Sequence, residues 1–455
     1  MGRLFGTNGV RGVLNQEFTV ELAQGLAASA GSLLGKEMAV GRDARTSSPM
    51  VRDAVVSGLL SVGCNVHDMG ALPTPTLQYM VKHLGLDGGV MVTASHNPPQ
   101  FNGVKVMAAD GVEISRATED RVEELYFKGG PQLAAWNLVG VVREVDVVET
   151  YIGAVIDQVD RKLISSRGLK VALDTGNGVS CLVAPRVASR LGAGVYTVNA
   201  ELDGGFPGRG SEPTPENLGA LRDLIEATGA DLGIGFDGDG DRSIIMDEKG
   251  EAVWGDKSLS LIADWYLGRH PGETVVTSIS TSKGLEDVVN RHGGRVHWVR
   301  VGSVDVSRAM VENGYLLGGE ENGGIMYGPH HPVRDGAMVM ALLLQILAER
   351  RRPLSELIAE QPIYSKAKDK VECPNELKLE VLGRLPGLVE GLEVDTMDGV
   401  KVTNRDGSWI LIRPSGTEPV CRLYAEARDE EAVRGIIGEY KEKLSRLIED
   451  LKQTV

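Results

Sequence analysis

Three carboxylates, Asp237, Asp239 and Asp241, stand at alternate positions in DGDGDR with glycine between them. That spacing lets all three turn toward one point, and such crowding is costly unless a cation lies among them. Oxygen ligands of this hardness suit magnesium, manganese or calcium. An EF-hand is the obvious rival, because Glu248 sits at loop position twelve counted from Asp237. It fails on two counts: position six is Arg242, where the sharp turn needs glycine, and the preceding ADLGIGF reads as a strand, not a helix. Gly233, Gly235 and Gly238 match GxGxxG, but a dinucleotide pyrophosphate would meet three aspartates there, and no helix follows. GSLLGKE, residues 31–37, is one residue short of a P-loop and has glutamate where Ser/Thr is required.

TASHNP, residues 93–98, sets Ser95 beside His96 and ends in a proline that stops further strand pairing. A serine exposed at such a strand end can serve as a nucleophile; the same letters taken alone are a turn started by Asn-Pro. The elements around it bear on that choice. Apolar and β-branched runs at 38–40, 89–92, 171–173, 232–236, 275–277 and 315–317 each lead into a polar loop. Between the runs lie segments with apolar residues at three- and four-residue spacing, an alternation that predicts α/β. The loops are GRDART, TASHNP, DTGNG, DGDGDR, SISTSKG and GGEENGG, in pairs that make a weak internal repeat of about 100 to 150 residues, too divergent for a short-period solenoid. TASHNP in the first copy, DGDGDR in the second and GGEENGG in the third hold the same place. All three therefore leave the same end of their sheets, where α/β ligand sites form.

The predicted organisation is three similar α/β domains with mixed sheets and a C-terminal α+β domain. Residues 1–145 carry Ser95, 146–254 the three aspartates, 255–362 GGEENGG, and 363–455 form the last domain. The first boundary follows the loop KGGPQL and precedes the helical VVETYIGAVIDQV; the second falls between the hairpin DEKG and the helical DKSLSLIADWYL; the third is at Gln361 and Pro362. The last domain has strands in KVTNRDGSWILIRP and CRLYAEA and then a helix. Val433, Ile436, Ile437, Tyr440, Leu444, Leu447, Ile448 and Leu451 keep a 3.6-residue stripe that predicts packing of that helix on its own sheet. The longest apolar stretch, around 337–348, falls well short of the roughly 18 residues that suggest a membrane span, so it predicts a buried helix.

Composition excludes other classes. The 455 residues include 58 glycines, about twice the usual share, and only 5% aromatics, so many tight loops serve work other than packing. A net charge of −15 with no basic run argues against a nucleic acid partner. Cys64, Cys181, Cys373 and Cys421 are scattered without a CxxC pair, against structural zinc or a disulfide framework and in keeping with a reducing cytoplasm. Residues 1–12 carry no apolar stretch of signal-peptide length, so nothing is expected to export the chain or place it in a membrane.

Five motifs, FGTNGVRG, TASHNP, DGDGDR, GGEENGG and RPSGTEP, occur in an order that resembles the α-D-phosphohexomutases over essentially the whole chain. The opening FGTNGVRG looks most like the phosphoglucosamine mutase branch, while phosphomannomutase/phosphoglucomutase relatives share the remaining motifs. The resemblance implies an active site in a central cleft to which each domain gives one loop. It implies interconversion of hexose 1-phosphate and 6-phosphate through a phosphoserine and a bisphosphate, best read as glucosamine 6-phosphate to glucosamine 1-phosphate. Mg²⁺ is the implied cofactor and hexose 1,6-bisphosphate the implied activator.

By the same resemblance Ser95 carries the phosphoryl group, and Asp237, Asp239 and Asp241 hold the metal together with an oxygen of Ser95. A doubly charged phosphoserine beside three carboxylates indeed requires a cation. Arg413, Ser415, Gly416 and Thr417 match the site for the phosphate that is not transferred, with Arg422 either joining them or facing solvent. Glu320 and Asn322 match the readers of sugar hydroxyls. The family pattern often has serine where Asn322 stands and histidine where Gly324 stands; His330 and His331, a few residues on, could partly substitute, but they are expected rather as exposed loop residues without a role. Lys105 in FNGVK and Arg11 in GVRG match positions near the reacting oxygen, where a cation lowers a hydroxyl pKa or acts as acid/base, and His96 competes for that role. Arg42 and Arg45 in GRDART are expected to add positive potential, with Arg42 alternatively pairing locally. Two rival readings remain, a metal-dependent sugar-phosphate phosphatase, marked by release of inorganic phosphate, and a non-catalytic sugar-phosphate sensor, which would not need Ser95. Sugars that differ only at C2, and the oligomeric state, are not separated by the sequence.

Overall fold

The runs that lead into the loops are strands in the computed structural model, which describes residues 4–389, 392–415 and 418–454. The first sheet contains β1 (Val10–Val13), β2 (Glu37–Arg42), β3 (Asn65–Ala71), β4 (Gly88–Val92), β5 (Phe101–Ala108) and β6 (Val142–Glu144), in the order β1-β5-β4-β2-β3-β6. The second holds β7 (Lys170–Asp174), β8 (Gly194–Val198), β9 (Leu232–Phe236), β10 (Ser243–Met246) and β11 (Ala252–Val253), ordered β11-β10-β9-β7-β8. The third holds β12 (Thr274–Ser278), β13 (Arg295–Val299), β14 (Leu317–Gly319), β15 (Ile325–Tyr327) and β16 (His331–Arg334), ordered β13-β12-β14-β15-β16.

A common unit lies inside all three: β3-β2-β4-β5, β8-β7-β9-β10 and β13-β12-β14-β15. In each, three parallel strands are followed by a fourth that runs antiparallel. The turn between the third and fourth strands is TASHNP in the first unit, DGDGDR in the second and EENGG in the third. The repeat is thus one of topology, and it carries the three chemical loops on equivalent turns.

The fourth sheet is wholly antiparallel, with β17 (Ser365–Glu372), β18 (Glu393–Asp395), β19 (Val400–Thr403), β20 (Trp409–Pro414) and β21 (Val420–Ala427) in the order β17-β21-β20-β19-β18. Alternate residues of a strand face opposite ways, and here each face has its own partner. Val400, Val402, Ile410 and Ile412 pack with Val433, Ile437, Tyr440, Leu444 and Leu451 of the helix Glu430–Thr454, as the stripe predicts. Trp409 and Leu411 pack on Ile279 of the third domain.

The apolar stretch forms the helix Gly336–Arg350, buried along nearly its whole length. It is apolar on every side because neighbours cover every side. It touches the helices Val148–Ile156, Arg161–Ser165 and Ala184–Arg190 of the second domain and Gly255–Leu267 of the third, and one continuous core runs through both domains. The first and fourth domains have cores of their own. Among the described residues no helix is long and apolar enough to cross a membrane.

Candidate active site

Where β4 ends, the chain turns through Ser95 with φ 52°, a left-handed conformation that is costly for a residue with a side chain. Its neighbours enforce it. The Ser95 amide donates to Thr93 Oγ1 at 2.8 Å, and that hydroxyl donates to Asp43 at 2.7 Å. Arg45 spends all five of its N–H donors here: Nε on Asp43 (3.0 Å), Nη1 on the carbonyls of Pro98 (2.6 Å) and Phe101 (3.0 Å), and Nη2 on those of Ser95 (2.8 Å) and Asn97 (2.6 Å). Phe206 of the second domain lies over the guanidinium at 5.2 Å. Arg45 is therefore a buried splint for the serine loop and not the open source of positive potential expected from GRDART, while Arg42 donates to the neighbouring Asp43 carbonyl.

The Ser95 hydroxyl donates to Asp237 Oδ2 at 2.8 Å, which joins the first two domains at the triad. Asp237, Asp239 and Asp241 are buried, with one carboxylate oxygen from each lying within 4.8 Å of the others. Lys105, on β5, donates to Oδ2 of Asp239 (2.7 Å) and Oδ2 of Asp241 (2.8 Å). Thr74 donates to Asp239 Oδ2 and Arg334 to Asp241 Oδ2, both at 2.5 Å. Each Oδ2 is thus saturated, whereas Oδ1 of Asp239 and Oδ1 of Asp241 are buried without a hydrogen-bond donor among the described residues. Unpaired buried carboxylate oxygens are rare because their desolvation goes uncompensated, and two of them in one acidic cluster fit a hard divalent cation.

The electrostatics agree. Burial and the charges of Asp241 and Asp239 push the Asp237 carboxyl well above its ordinary range. Burial also opposes the charge on Asp241, but Arg334, Lys105 and Arg242 outweigh it and hold this carboxylate far below the usual range. For Lys105, burial disfavours the ammonium and Asp239 and Asp241 prevail, so its pKa is raised. His96, whose Nδ1 is 3.4 Å from Ser95 Oγ, is held well below its ordinary value by the charge of Arg242, by burial and by Arg11. Arg11 reaches over from β1 to the Asn97 side chain (2.9 Å) and the Asn8 carbonyl (2.6 Å), and burial with Arg242 lowers its pKa to about 10.

The third domain brings Glu320, buried, with Oε1 accepting the Gly302 amide at 3.0 Å and Oε2 3.6 Å from Arg334 Nη1. Asn322 is half-buried, and its Oδ1 accepts the Gly324 amide at 3.1 Å. In the fourth domain Arg413 pairs with Asp398 at 2.8 Å, and Asp398 accepts the Val301 amide of the third domain at 3.0 Å, next to the Gly302 that holds Glu320. The strand register sets Arg413 directly opposite Arg422, so the two arginines share a face. Arg422 is half-buried and paired with Glu418 at 2.7 Å. The Ser415 hydroxyl accepts the Glu418 amide. Gly416 and Thr417 lie outside the described residues.

The expectation for His330 and His331 is corrected. Both are buried: His330 stacks on Tyr79 of the first domain, with ring centres 4.8 Å apart, and lies edge-on to Tyr151 of the second. Packing from two other domains covers what the sequence presents as a loop. Sequence reasoning also passed over Thr74, Asp43 and Arg334. Arg334 was readable in part, since it precedes Asp335, an acidic N-cap to the apolar helix.

Comparison with known proteins gives one answer along the chain. Residues 2–132, 149–250 and 254–364 match phosphoglucomutase/phosphomannomutase alpha/beta/alpha domains I, II and III, and residues 370–443 match the C-terminal domain of the same description. A phosphoglucomutase/phosphomannomutase from Thermococcus kodakarensis is 42% identical over 458 residues, covering 99% of each chain. A phosphoglucosamine/phosphogalactosamine mutase from Sulfurisphaera tokodaii is 41% identical over 450 residues, 97% of this chain and 99% of the other. Among solved structures, a phosphoglucomutase/phosphomannomutase family protein from Burkholderia thailandensis superposes with a TM-score of 0.87 at 28% identity, covering 97% of both chains.

Proposed function

Because the chain belongs to the phosphoglucomutase/phosphomannomutase family, and so is a phosphohexomutase, we propose that it interconverts glucosamine 6-phosphate and glucosamine 1-phosphate through a phosphoserine at Ser95. The observation that carries the serine assignment is the Ser95 hydroxyl, 2.8 Å from Asp237 in a cluster with two bare carboxylate oxygens. The sugar rests on the opening FGTNGVRG and on the name of the relative that acts on amino sugars. The relative named for glucose and mannose phosphates keeps those sugars as the second reading.

Asp237, Asp239 and Asp241, with an oxygen of the Ser95 phosphoryl group, would hold Mg²⁺, which when bound offsets negative charge on the phosphoryl group in transfer. Phosphorylated Ser95 meets a hexose phosphate whose free hydroxyl attacks phosphorus. The new O–P bond forms as the bond to Ser95 Oγ breaks, and the hydroxyl proton passes by way of a base to the departing Ser95 Oγ. Lys105 is engaged by two carboxylates and Arg11 by Asn97 and the Asn8 carbonyl, which supports His96, with Nδ1 3.4 Å from Ser95 Oγ, as our choice of base. The resulting bisphosphate turns round and returns its other phosphoryl group to Ser95. Free hexose 1,6-bisphosphate would charge an unphosphorylated Ser95 in the same way. Arg413, Ser415, Gly416 and Thr417, with Arg422 beside Arg413, hold the phosphate that stays, in both orientations. Glu320 and Asn322 bind the ring hydroxyls between them.

The test is a panel of glucosamine, mannose and glucose phosphates with Mg²⁺ and a trace of hexose 1,6-bisphosphate, following loss of 1-phosphate and gain of 6-phosphate. A strong preference for glucosamine phosphate supports the proposal, and comparable rates on glucose and mannose phosphates give the second reading. Release of inorganic phosphate without isomerisation refutes both. Full turnover by Ser95→Ala would overturn the phosphoserine.

A further inference from the structure

Arg334 closes β16, buried and within reach of two carboxylates that belong to different domains. Its Nη2 donates to Asp241 Oδ2 at 2.5 Å, and its Nη1 lies 3.6 Å from Glu320 Oε2. Nε is buried without an acceptor among the described residues, so the guanidinium is held by the two acids and not by a surrounding set of carbonyls, unlike Arg45. Its stem crosses a space that only glycine leaves open. A Cβ at Gly324 would run into Cδ of Arg334 and lie 2.9 Å from its Cγ. Gly324 has no left-handed φ that would demand glycine, although Gly323 beside it does. Space for the arginine is therefore what a side chain at 324 would take away.

We propose that Arg334 is a positioning residue that ties the metal-loop carboxylate Asp241 to the sugar-loop carboxylate Glu320, and that Gly324 is kept free of a side chain to admit it. This rests on the mutase reading for the identities of the two loops. With Lys105 it occupies Asp241 Oδ2 and leaves Oδ1, 4.0 Å from Arg242 Nε, without a hydrogen-bond donor among the described residues. It also gives Glu320 a fixed charged neighbour, so the oxygens that would meet sugar hydroxyls do not reorient on their own. The same cation competes with a metal for Asp241. Its removal therefore has effects of opposite sign, tighter metal and looser sugar, which general damage to the fold would not produce.

The experiment compares the wild type with Arg334→Met, Arg334→Lys, Gly324→Ala and the double variant Gly324→Ala/Arg334→Met. It reads Mn²⁺ binding by electron paramagnetic resonance, glucosamine 6-phosphate binding by calorimetry, and KM against kcat. Loss of a buried charge-assisted contact predicts that Arg334→Met weakens sugar-phosphate binding and raises KM roughly ten- to hundredfold. Mn²⁺ binding tightens severalfold in the same protein. Gly324→Ala reproduces both shifts, the double variant is no worse than Arg334→Met alone, and Arg334→Lys, which keeps the charge, recovers part of each. Losses that multiply in the double variant, or Mn²⁺ and sugar phosphate weakened together, would overturn the role of Arg334. If the wild type isomerises none of the sugars, the mutase reading falls by itself. The Mn²⁺ shifts in Arg334→Met and Gly324→Ala then still decide whether the arginine competes for Asp241.

Discussion

Arg45→Lys keeps the charge beneath the serine loop and removes geometry. The guanidinium feeds five acceptors with five donors, the carboxylate of Asp43 and the carbonyls of Ser95, Asn97, Pro98 and Phe101. An ammonium has three donors, so at least two of these five hydrogen bonds are lost, although Asp43 keeps Thr93, the Asn97 carbonyl keeps Ser211 and the Pro98 carbonyl keeps the Phe101 amide. A hydrogen bond to a charged group contributes about 1.5–3 kcal/mol, which makes the expected loss about 3–6 kcal/mol, a large part of the roughly 5–15 kcal/mol that holds a domain folded. Some of this cost is relieved by letting residues 94–101 relax. Ser95 then leaves its left-handed conformation, which is worth about 1–2 kcal/mol to escape. Amide hydrogen exchange across 94–101 should rise and the denaturation midpoint should fall. Turnover should drop about thirtyfold if 2 kcal/mol is needed to restore the loop. A variant with exchange and turnover like the wild type, and stability within about 0.5 kcal/mol, would refute the account of Arg45 as a splint.

Asp239→Asn removes one carboxylate of the triad and should weaken Mn²⁺ binding about tenfold or more, measured by calorimetry; unchanged affinity would place the ion elsewhere. Stripping the protein with a chelator should stop turnover, and added Mg²⁺ should restore it. Burial first, and the charges of Lys82 and His330 after it, lower the His331 pKa from 6.5 to about 4. The neutral ring thus contributes stability that is complete above pH 6.5 and is lost as pH falls toward 4, about 3 kcal/mol in all. His331→Gln should flatten that acid limb in denaturation measured across this range, and an equally steep limb would exclude His331 as its source. Glu320→Gln withdraws the charge that faces Arg334 and should raise KM about tenfold with little change in the melting point; a change confined to kcat would argue against a sugar-binding role.

The sequence was most legible where local physics and location agree. The run 232–236 leads into a loop of alternating aspartates, and β9 occupies the same five residues. The run at 315–317 shows where local reading fails. Gly314, with φ 70°, closes the helix Ser303–Asn313, and the chain enters the sheet only at Leu317, while Tyr315 packs against the small core between that helix and the sheet. His330 and His331 read as loop residues because what buries them, Tyr79 and Tyr151, comes from two other domains. Arg45 was legible as a cation and not as a splint, since four of its five acceptors are backbone carbonyls some fifty residues along, which no side-chain pattern announces. For the same reason Arg334 escaped notice: its partners Asp241 and Glu320 meet only when two domains dock.

The helix Gly336–Arg350 bears on how the chain emerges from the ribosome. The strand order of each α/β unit suggests modules that mature one after another, each complete before the next is made. The second unit cannot do so, because the face formed by Tyr151, Ile152, Val155 and Val187 is covered by the helix Gly336–Arg350, synthesised long after them. For that interval the nascent unit presents an apolar surface with no intramolecular cover, the condition in which newly made proteins aggregate or recruit chaperones. The first domain, with a core of its own, meets no such delay. Translation pauses before residue 350 should therefore be more damaging to yield than pauses after it.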